Sequence, residues 1–354
     1  MVMSGSLDPH RSANPLIVRC GALGDMVLLT PLIRLLARRY GLPVDLLTSG
    51  SWSQPLLRGQ PDVGHLQVLT SRKTPYWLCP SQWQAVRWLR ARAVGPVYLC
   101  DPDLQIRRLL QRAGVAREWI VDAYDPERPL QTGGLWPDRW LELGQRDPLG
   151  WVPTARVEDV AALRLPVLTV PTEARLDTQT WLHEHDWHTG PLVLFQAGNK
   201  RTHKRGRVAT RQHNKHWPAE RWAALAHAVL QNLPDAQVLL CGSPAEHGVI
   251  EEIRQHARDA RVANIADALP IPRLMALLER AHSLVSVDSG PAHLAAALGC
   301  PLVVLFGAAP RSMWQPIGAG PITTLGGERH GGRVEDIATD RVIAAWHSLP
   351  ARRG

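Results

Sequence analysis

Asp288-Ser289-Gly290 cuts short the apolar run Leu284–Val287 and is followed by Pro291, a helix-forming stretch Ala292–Leu298, Gly299, Pro301 and a second apolar run, Leu302–Phe306. The pattern predicts strand, tight acidic turn, helix, tight turn, strand. Proline suits a first helical turn because it has no N–H to waste, and glycine followed by proline stops a helix. A helix that starts at the carboxyl end of a strand points unpaired N–H groups and a dipole at whatever lies there, which makes it an anion site. His293, one turn in, adds a donor. The plainer alternative, an ordinary buried βαβ unit with Ser289 as its cap, stays equally open on these residues.

Other stretches carry related chemistry. Cys20-Gly21-Ala22-Leu23-Gly24-Asp25 follows an apolar run and precedes an amphipathic one, so Asp25 stands at a strand-to-helix junction. It reads either as a helix N-cap or as a carboxylate open to substrate and usable as a general base. Residues 199–216, NKRTHKRGRVATRQHNKH, hold seven Lys/Arg, three His and no acid. Most of these charges read as a solvated loop. Lys215, just before His216-Trp217-Pro218 and a helix start, is the candidate for a fixed phosphate contact. Lys200, Arg201 and Lys204, with Gly24, complete a candidate acceptor and phosphate loop. Glu246, in Cys241-Gly242-Ser243-Pro244-Ala245-Glu246, reads as an acceptor for a ribose hydroxyl or as a first-turn acid serving its helix dipole.

Neither GxGxxG nor GxxxxGK[ST] occurs, so the dinucleotide fingerprint and the P-loop are absent. Asp101-Pro102-Asp103 has the form of a metal-binding DxD, and His183-Glu184-His185-Asp186-Trp187-His188 is rich in ligands. On a helix His183 and His185 face different ways, and both stretches are read as polar surface.

These residues need a frame, and the chain supplies it twice. Leu16–Arg19, Val44–Thr48, His65–Leu69, Val97–Cys100 and Glu118–Val121 read as strands alternating with helices at Met26–Arg39, Ser81–Ala93 and Leu104–Ala113. Residues 122–160 give no clear assignment, and Leu163–Val170 looks extended. The rhythm restarts with strands at Leu192–Ala197, Gln237–Cys241, Arg261–Ile265, Leu284–Val287 and Leu302–Phe306. Helices are expected at Asp177–Asp186, Pro218–Asn232, Ala245–Ala257, Ile271–Arg280 and Asp336–Leu349. Two successive βα series predict an α/β chain of two Rossmann-like domains with parallel sheets facing a central cleft. The expected boundaries are 15–175, 190–335 and a terminal helix in 336–354.

Composition agrees with a globular protein at 45% hydrophobic and 20% charged. The formal charge of +8 points to an anionic partner. Five cysteines without a CxxC read as reduced thiols of a cytoplasmic protein. No run approaches the ~20 apolar residues of a membrane span, no signal peptide is indicated, and residues 1–14 read as a loose tail. Tryptophan is abundant, 14 against 2 Phe and 4 Tyr. Most Trp belong in cores, although an indole also offers a stacking plane for a sugar.

The residues together resemble glycosyltransferase family 9, the heptosyltransferases. LIVRCGALGDMVLLTPLIRLL is similar to the family's opening strand, GxLGD turn and helix, and NKHWPAERWAAL to its KxWP motif. VSVDSGPAHLAAALGCPLVVLFGAAP resembles its long VDTGxxHLAAALG motif. Asp103-Leu104-Gln105 is similar to a DxQG segment but has Ile106 for Gly, which recasts Asp101 and Asp103 as scaffold. The match runs over roughly residues 16–318.

The resemblance implies a GT-B fold and an inverting transfer without a bound metal. The sugar is expected to be heptose from ADP-heptose, and the acceptor a hydroxyl of lipopolysaccharide core or a related anionic glycolipid. By position Asp25 becomes the general base, and Lys215, Ser289, Gly290 and His293 hold the diphosphate. Glu246 holds the ribose and Asp288 organises the donor site. No cofactor is implied beyond the nucleotide sugar, no nucleic acid is expected, and peripheral contact with the inner face of the cell membrane is. FGAAP in place of FGPT, the long basic segment and the Trp-rich first half depart from the family. They leave room for another nucleotide sugar, serving an exopolysaccharide or protein glycan. A non-catalytic nucleotide-sugar or polyanion-binding protein on the same scaffold is the rival of a different class.

Overall fold

The computed structural model describes residues 14–93, 95–150, 156–199, 203–204, 207–208, 214–328 and 331–350. Residues 1–14 of the expected tail therefore fall outside it except Asn14, as do Lys200 and Arg201. The chain forms two compact units. One comprises residues 1–22, 29–133 and 137–164, the other residues 23–28, 134–136 and 165–354.

The first unit is built on a parallel sheet. Its strands are β1 (Leu16–Val18), β2 (Val44–Ser49), β3 (Val63–Leu69), β4 (Val97–Leu99) and β5 (Ile120–Asp122), in the order β3-β2-β1-β4-β5. Leu16 pairs with Asp45 on one side and Val97 on the other. The strand order reverses between β1 and β4, which places this sheet's switch point at their carboxyl ends. The expected helix Met26–Arg39 is divided. Helix α1 (Leu23–Leu28) ends before α2 (Thr30–Tyr40), because Pro31 has no N–H to continue α1 and is accommodated at the start of a new helix. Gly41, at φ 64°, closes α2 in the left-handed region.

A short helix α3 (Ser53–Leu57) precedes β3, and α4 (Pro80–Ala91), α5 (Leu104–Ala113) and α6 (Trp136–Gln145) follow. Ser81 lies inside α4 rather than capping it, and its hydroxyl bonds Thr70. Helix α6 emerges from the stretch the sequence left unassigned, and buries Trp140, Leu141 and Leu143.

The second unit has six parallel strands. They are β6 (Leu192–Gln196), β9 (Gln237–Cys241), β10 (Val262–Asn264), β11 (Ser283–Val287), β12 (Leu302–Phe306) and β13 (Ile322–Gly326). The order is β10-β9-β6-β11-β12-β13, so the switch point lies between β6 and β11. Between β6 and β9, the pairs β7 (His203–Lys204) and β8 (Arg207–Val208) form a small antiparallel hairpin within the basic segment. Strands β6, β9, β11 and β12 are buried along their whole length, as strands covered on both faces must be. The sixth strand was not foreseen. Its residues Ile322–Gly326 are only half-buried and mix Thr with Leu, as befits a sheet edge.

Helices α7 (Thr172–Glu184), α8 (Ala219–Asn232), α9 (His247–Ala257), α10 (Ile271–Arg280), α11 (Gly290–Ala297), α12 (Arg311–Trp314) and α13 (Thr339–His347) complete the unit. Trp222 and Phe195 are fully buried in its core, with Trp217 and Trp346 beside them. Bidentate pairs Arg175–Glu279 and Arg273–Asp177 tie α7 to α10. Among the described residues no helix is long and apolar enough to cross a membrane.

Candidate functional site

The carboxyl edge of the second sheet gathers most of the expected site. Asp288 extends the β11 ladder, its N–H donating to Leu305 O at 2.9 Å. Its side chain is buried, and the Lys215 ammonium meets it at 2.6 Å from Oδ2 and 2.8 Å from its backbone oxygen. Lys215 reaches it from the segment between β6 and α8. A pair this sheltered is costly to break from one side only, since the remaining charge is left without its partner.

Ser289 stands at the N-cap position of α11 in extended backbone, φ −154°, ψ 168°. Its side chain makes no capping bond. The hydroxyl lies 2.9 Å from Ser286 Oγ instead, so the cap reading fails and the first turn of α11 keeps its donors uncapped by a side chain. The helix starts at Gly290, two residues earlier than Ala292. Gly299, at φ 70°, follows its end.

Helix α1 packs on this helix start. A Cβ on Gly290 would lie 2.8 Å from Leu23 Cβ, and one on Gly24 would lie 2.7 Å from His293 Cδ2. The two helices approach as closely as they do because both positions lack a side chain. Asp25 is then the third residue of α1, in its first turn rather than at its cap, and its carboxylate lies within electrostatic reach of His293. His293 is almost wholly buried. Burial lowers its pKa first, Asp288 and Asp25 oppose that, and Lys215 adds to it. The imidazole is therefore neutral near pH 7, and its Nδ1 has no hydrogen-bond partner among the described residues.

Glu246 occupies the β9 side of the same edge. One carboxylate oxygen, Oε2, accepts from Ser243 N and Ser243 Oγ, both at 2.8 Å, in a reciprocal capping box. The other, Oε1, is buried without a partner and lies against Gly198, where a Cβ would collide with it. Gln196 holds that loop by donating to Gly198 O at 2.9 Å. The cap and ligand readings of Glu246 are thus divided between its two oxygens.

Of the remaining candidates, Lys204 lies in β7, where only the backbone is described, and Lys200 and Arg201 lie outside the described residues. Asp101 and Asp103 belong to the other unit's switch point. Asp101 accepts from Cys20 N at 2.8 Å and Asp103 N at 2.9 Å, Asp103 caps α5, and Arg72 approaches both. They brace two strand ends, as scaffold. His183 stacks on His188 while His185 bonds Trp181 O, so the histidine-rich stretch is spent on packing. Sequence reasoning missed Gln196, Gly198 and Ser286. A polar residue ending the apolar strand LVLFQ was the available signal for the first.

Residues 196–332 match the model of glycosyltransferase family 9 (heptosyltransferase). Lipopolysaccharide heptosyltransferase 3 of Escherichia coli K12 is 26% identical over 296 residues, covering 83% of this chain and 82% of that protein. The crystal structure of a family 9 glycosyl transferase from Veillonella parvula is similar over 97% of this chain and 99% of that one, with a TM-score of 0.75 at 17% identity. E. coli ADP-heptose lps heptosyltransferase II gives a TM-score of 0.70 at 20% identity, covering 95% of this chain and 98% of that one. The family 9 match of the second unit and the curated relative mark this protein as a glycosyltransferase similar to the family 9 heptosyltransferases, and the solved structures show that its fold is GT-B.

Proposed function

We propose that the chain transfers a heptose from ADP-heptose to a hydroxyl of a lipopolysaccharide-core or related anionic glycolipid, with inversion and without a metal ion. The observation that carries this reading is the meeting of Asp25 with His293 at the uncapped start of α11, beside the Lys215–Asp288 pair. A carboxylate, a lysine, a neutral imidazole and free helix N–H groups then share one strand edge. The donors of α11, Lys215 and His293 Nδ1 suit a diphosphate, and Glu246 Oε1 suits a ribose hydroxyl. The donor's identity follows the relatives, one of which is named for ADP-heptose.

In the proposed reaction the acceptor oxygen forms a bond to the anomeric carbon as the bond from that carbon to the diphosphate oxygen breaks. Asp25 takes the acceptor's proton. The leaving diphosphate carries the departing electron pair, and Lys215 with the α11 N-terminus stabilises it where a metal ion otherwise would. One displacement from the opposite face inverts the configuration. The second unit holds the nucleotide.

Asp25→Asn keeps the side chain's shape and removes its basicity. It is expected to lower transfer about 100- to 10,000-fold while ADP still raises the thermal midpoint. Transfer within a few-fold of wild type refutes Asp25 as the base, and ADP stabilisation without transfer to any acceptor in the wild-type protein favours the binding-protein reading.

A further inference from the structure

Two serines interrupt the apolar strand β11, and both are completely buried. A hydroxyl in that setting is costly unless it is hydrogen-bonded. Ser283, at the foot of the strand, accepts from Trp346 Nε1 at 2.8 Å and so serves the packing of α13. Ser286 is placed differently. It is the next to last residue of the strand, in register with Gln196 on β6 and Val304 on β12, and its hydrogen bonds run toward the turn that starts α11.

The hydroxyl protons of that turn are determined by their partners. A serine hydroxyl has one proton to donate and lone pairs to accept with. Ser286 Oγ lies 2.6 Å from Val287 O, and a carbonyl oxygen only accepts, so the Ser286 proton is committed there. The bond between Ser286 Oγ and Ser289 Oγ, at 2.9 Å, is then donated by Ser289. Ser289 is half-buried, and its side chain makes no capping bond to α11. Its proton therefore turns inward, and its lone pairs are left toward the mouth of the site. An oxygen in that state repels a diphosphate, whose oxygens are acceptors too. It suits a hydroxyl that arrives with a proton to donate. The sugar of the proposed donor brings such hydroxyls, and it hangs directly from the diphosphate placed at α11.

From this we infer that Ser289 is a specificity-determining residue that accepts a hydrogen bond from a hydroxyl of the transferred sugar, and that Ser286 is the positioning residue that holds it in the accepting state. The family likeness gives Ser289 to the diphosphate by position; the partners of its proton give it to the sugar. The diphosphate is left to Lys215, His293 and the N–H groups of α11. A donor whose sugar lacks the hydroxyl leaves the Ser289 lone pairs unmet, and the serine pair discriminates among nucleotide sugars in that way. The inference deepens the proposed function and rests on its reading of this strand edge as the donor site.

The test is calorimetry with ADP and with ADP-heptose, in the absence of acceptor, on the wild type and on Ser289→Ala, Ser289→Thr and Ser286→Ala. Ser289→Ala should weaken ADP-heptose about five- to tenfold and ADP less than about twofold, the loss of one neutral hydrogen bond confined to the sugar. Ser289→Thr keeps the hydroxyl and should keep the preference for ADP-heptose over ADP within about twofold of wild type. Ser286 touches no ligand, but Ser286→Ala frees the Ser289 proton to turn outward. The preference should then fall about threefold or more while ADP binds as well as before or better. A merely structural role for Ser286 would weaken both ligands alike. Ser286→Cys, whose thiol is a weak hydrogen-bond partner, is the second variant should the alanine not fold, and it should shift the preference the same way. Equal losses for the two ligands in Ser289→Ala, or an unchanged preference in the Ser286 variants, overturn the inference. A wild type that binds ADP and gains nothing from the sugar overturns it too and leaves the nucleotide site standing. One that binds neither ligand overturns the donor reading and the inference together.

Discussion

Replacing Gly24 by alanine tests the close approach that brings Asp25 to α11. The new Cβ would lie 2.7 Å from His293 Cδ2, so the contact must open by roughly 0.7 Å or more to reach ordinary separation. The His293 ring is 4% exposed and cannot swing into solvent, so α1 itself has to give. Overpacking of this kind costs roughly 1–3 kcal/mol. Alanine in place of glycine inside a helix returns roughly 0.8–1 kcal/mol. The net cost is roughly 0–2 kcal/mol, and the thermal midpoint should fall by at most several degrees. Catalysis has no such compensation, because a misplacement approaching 1 Å costs up to about 100-fold. Transfer measured at saturating donor should therefore drop about 10- to 100-fold in a protein that is still well folded. In a His293→Ala background the obstructing ring is gone, and the added methyl should cost almost nothing further. Transfer by Gly24→Ala within twofold of wild type, or an equal loss in the His293→Ala background, would falsify the claim that this contact positions the base.

Lys215→Ala leaves the buried Asp288 carboxylate unpaired, so stability should fall by roughly 3–5 kcal/mol in urea unfolding, with ADP-induced stabilisation largely lost. Glu246→Gln can retain an oxygen toward Ser243 and turn an NH₂ toward Gly198. The protein should stay folded while calorimetry shows ADP affinity reduced about tenfold or more, and unchanged affinity excludes the ribose role. His293 has its pKa lowered below 6.5 by burial, so the unfolded chain binds its proton first as pH falls. The stability it contributes is full above about pH 6.5 and is lost below, with a slope of up to about 1.4 kcal/mol per pH unit. His216 and His282 are shifted the same way. The measurement is thus the difference in slope between wild type and His293→Gln, and identical slopes refute the assignment.

The sequence by itself determined the two parallel sheets and the place of the helix start at the end of β11. Runs such as Val238–Cys241 and Leu302–Phe306 are apolar throughout and are followed by glycine, so their strands were legible. Asp288-Ser289-Gly290-Pro291 announced a helix start for the same local reason. Only the tertiary structure decided the rest. The edge strand Ile322–Gly326 and helix α6 depend on what packs beside them and leave weak periodicity in the chain, whereas the break at Pro31 had a local signal that the amphipathic run hid. Whether Ser289 is a cap, or Glu246 a helix acid or a ligand, was undecidable from their positions, because both roles ask for the same residue at the same place. The fold separates them by finding a different partner for the Ser289 hydroxyl and by satisfying one Glu246 oxygen while burying the other. Gly24 and Gly290 showed nothing in sequence of the contact they permit. That Asp25 counts with the sheet of His293, and not with the strand that precedes it, is a consequence of two missing side chains more than 250 residues apart.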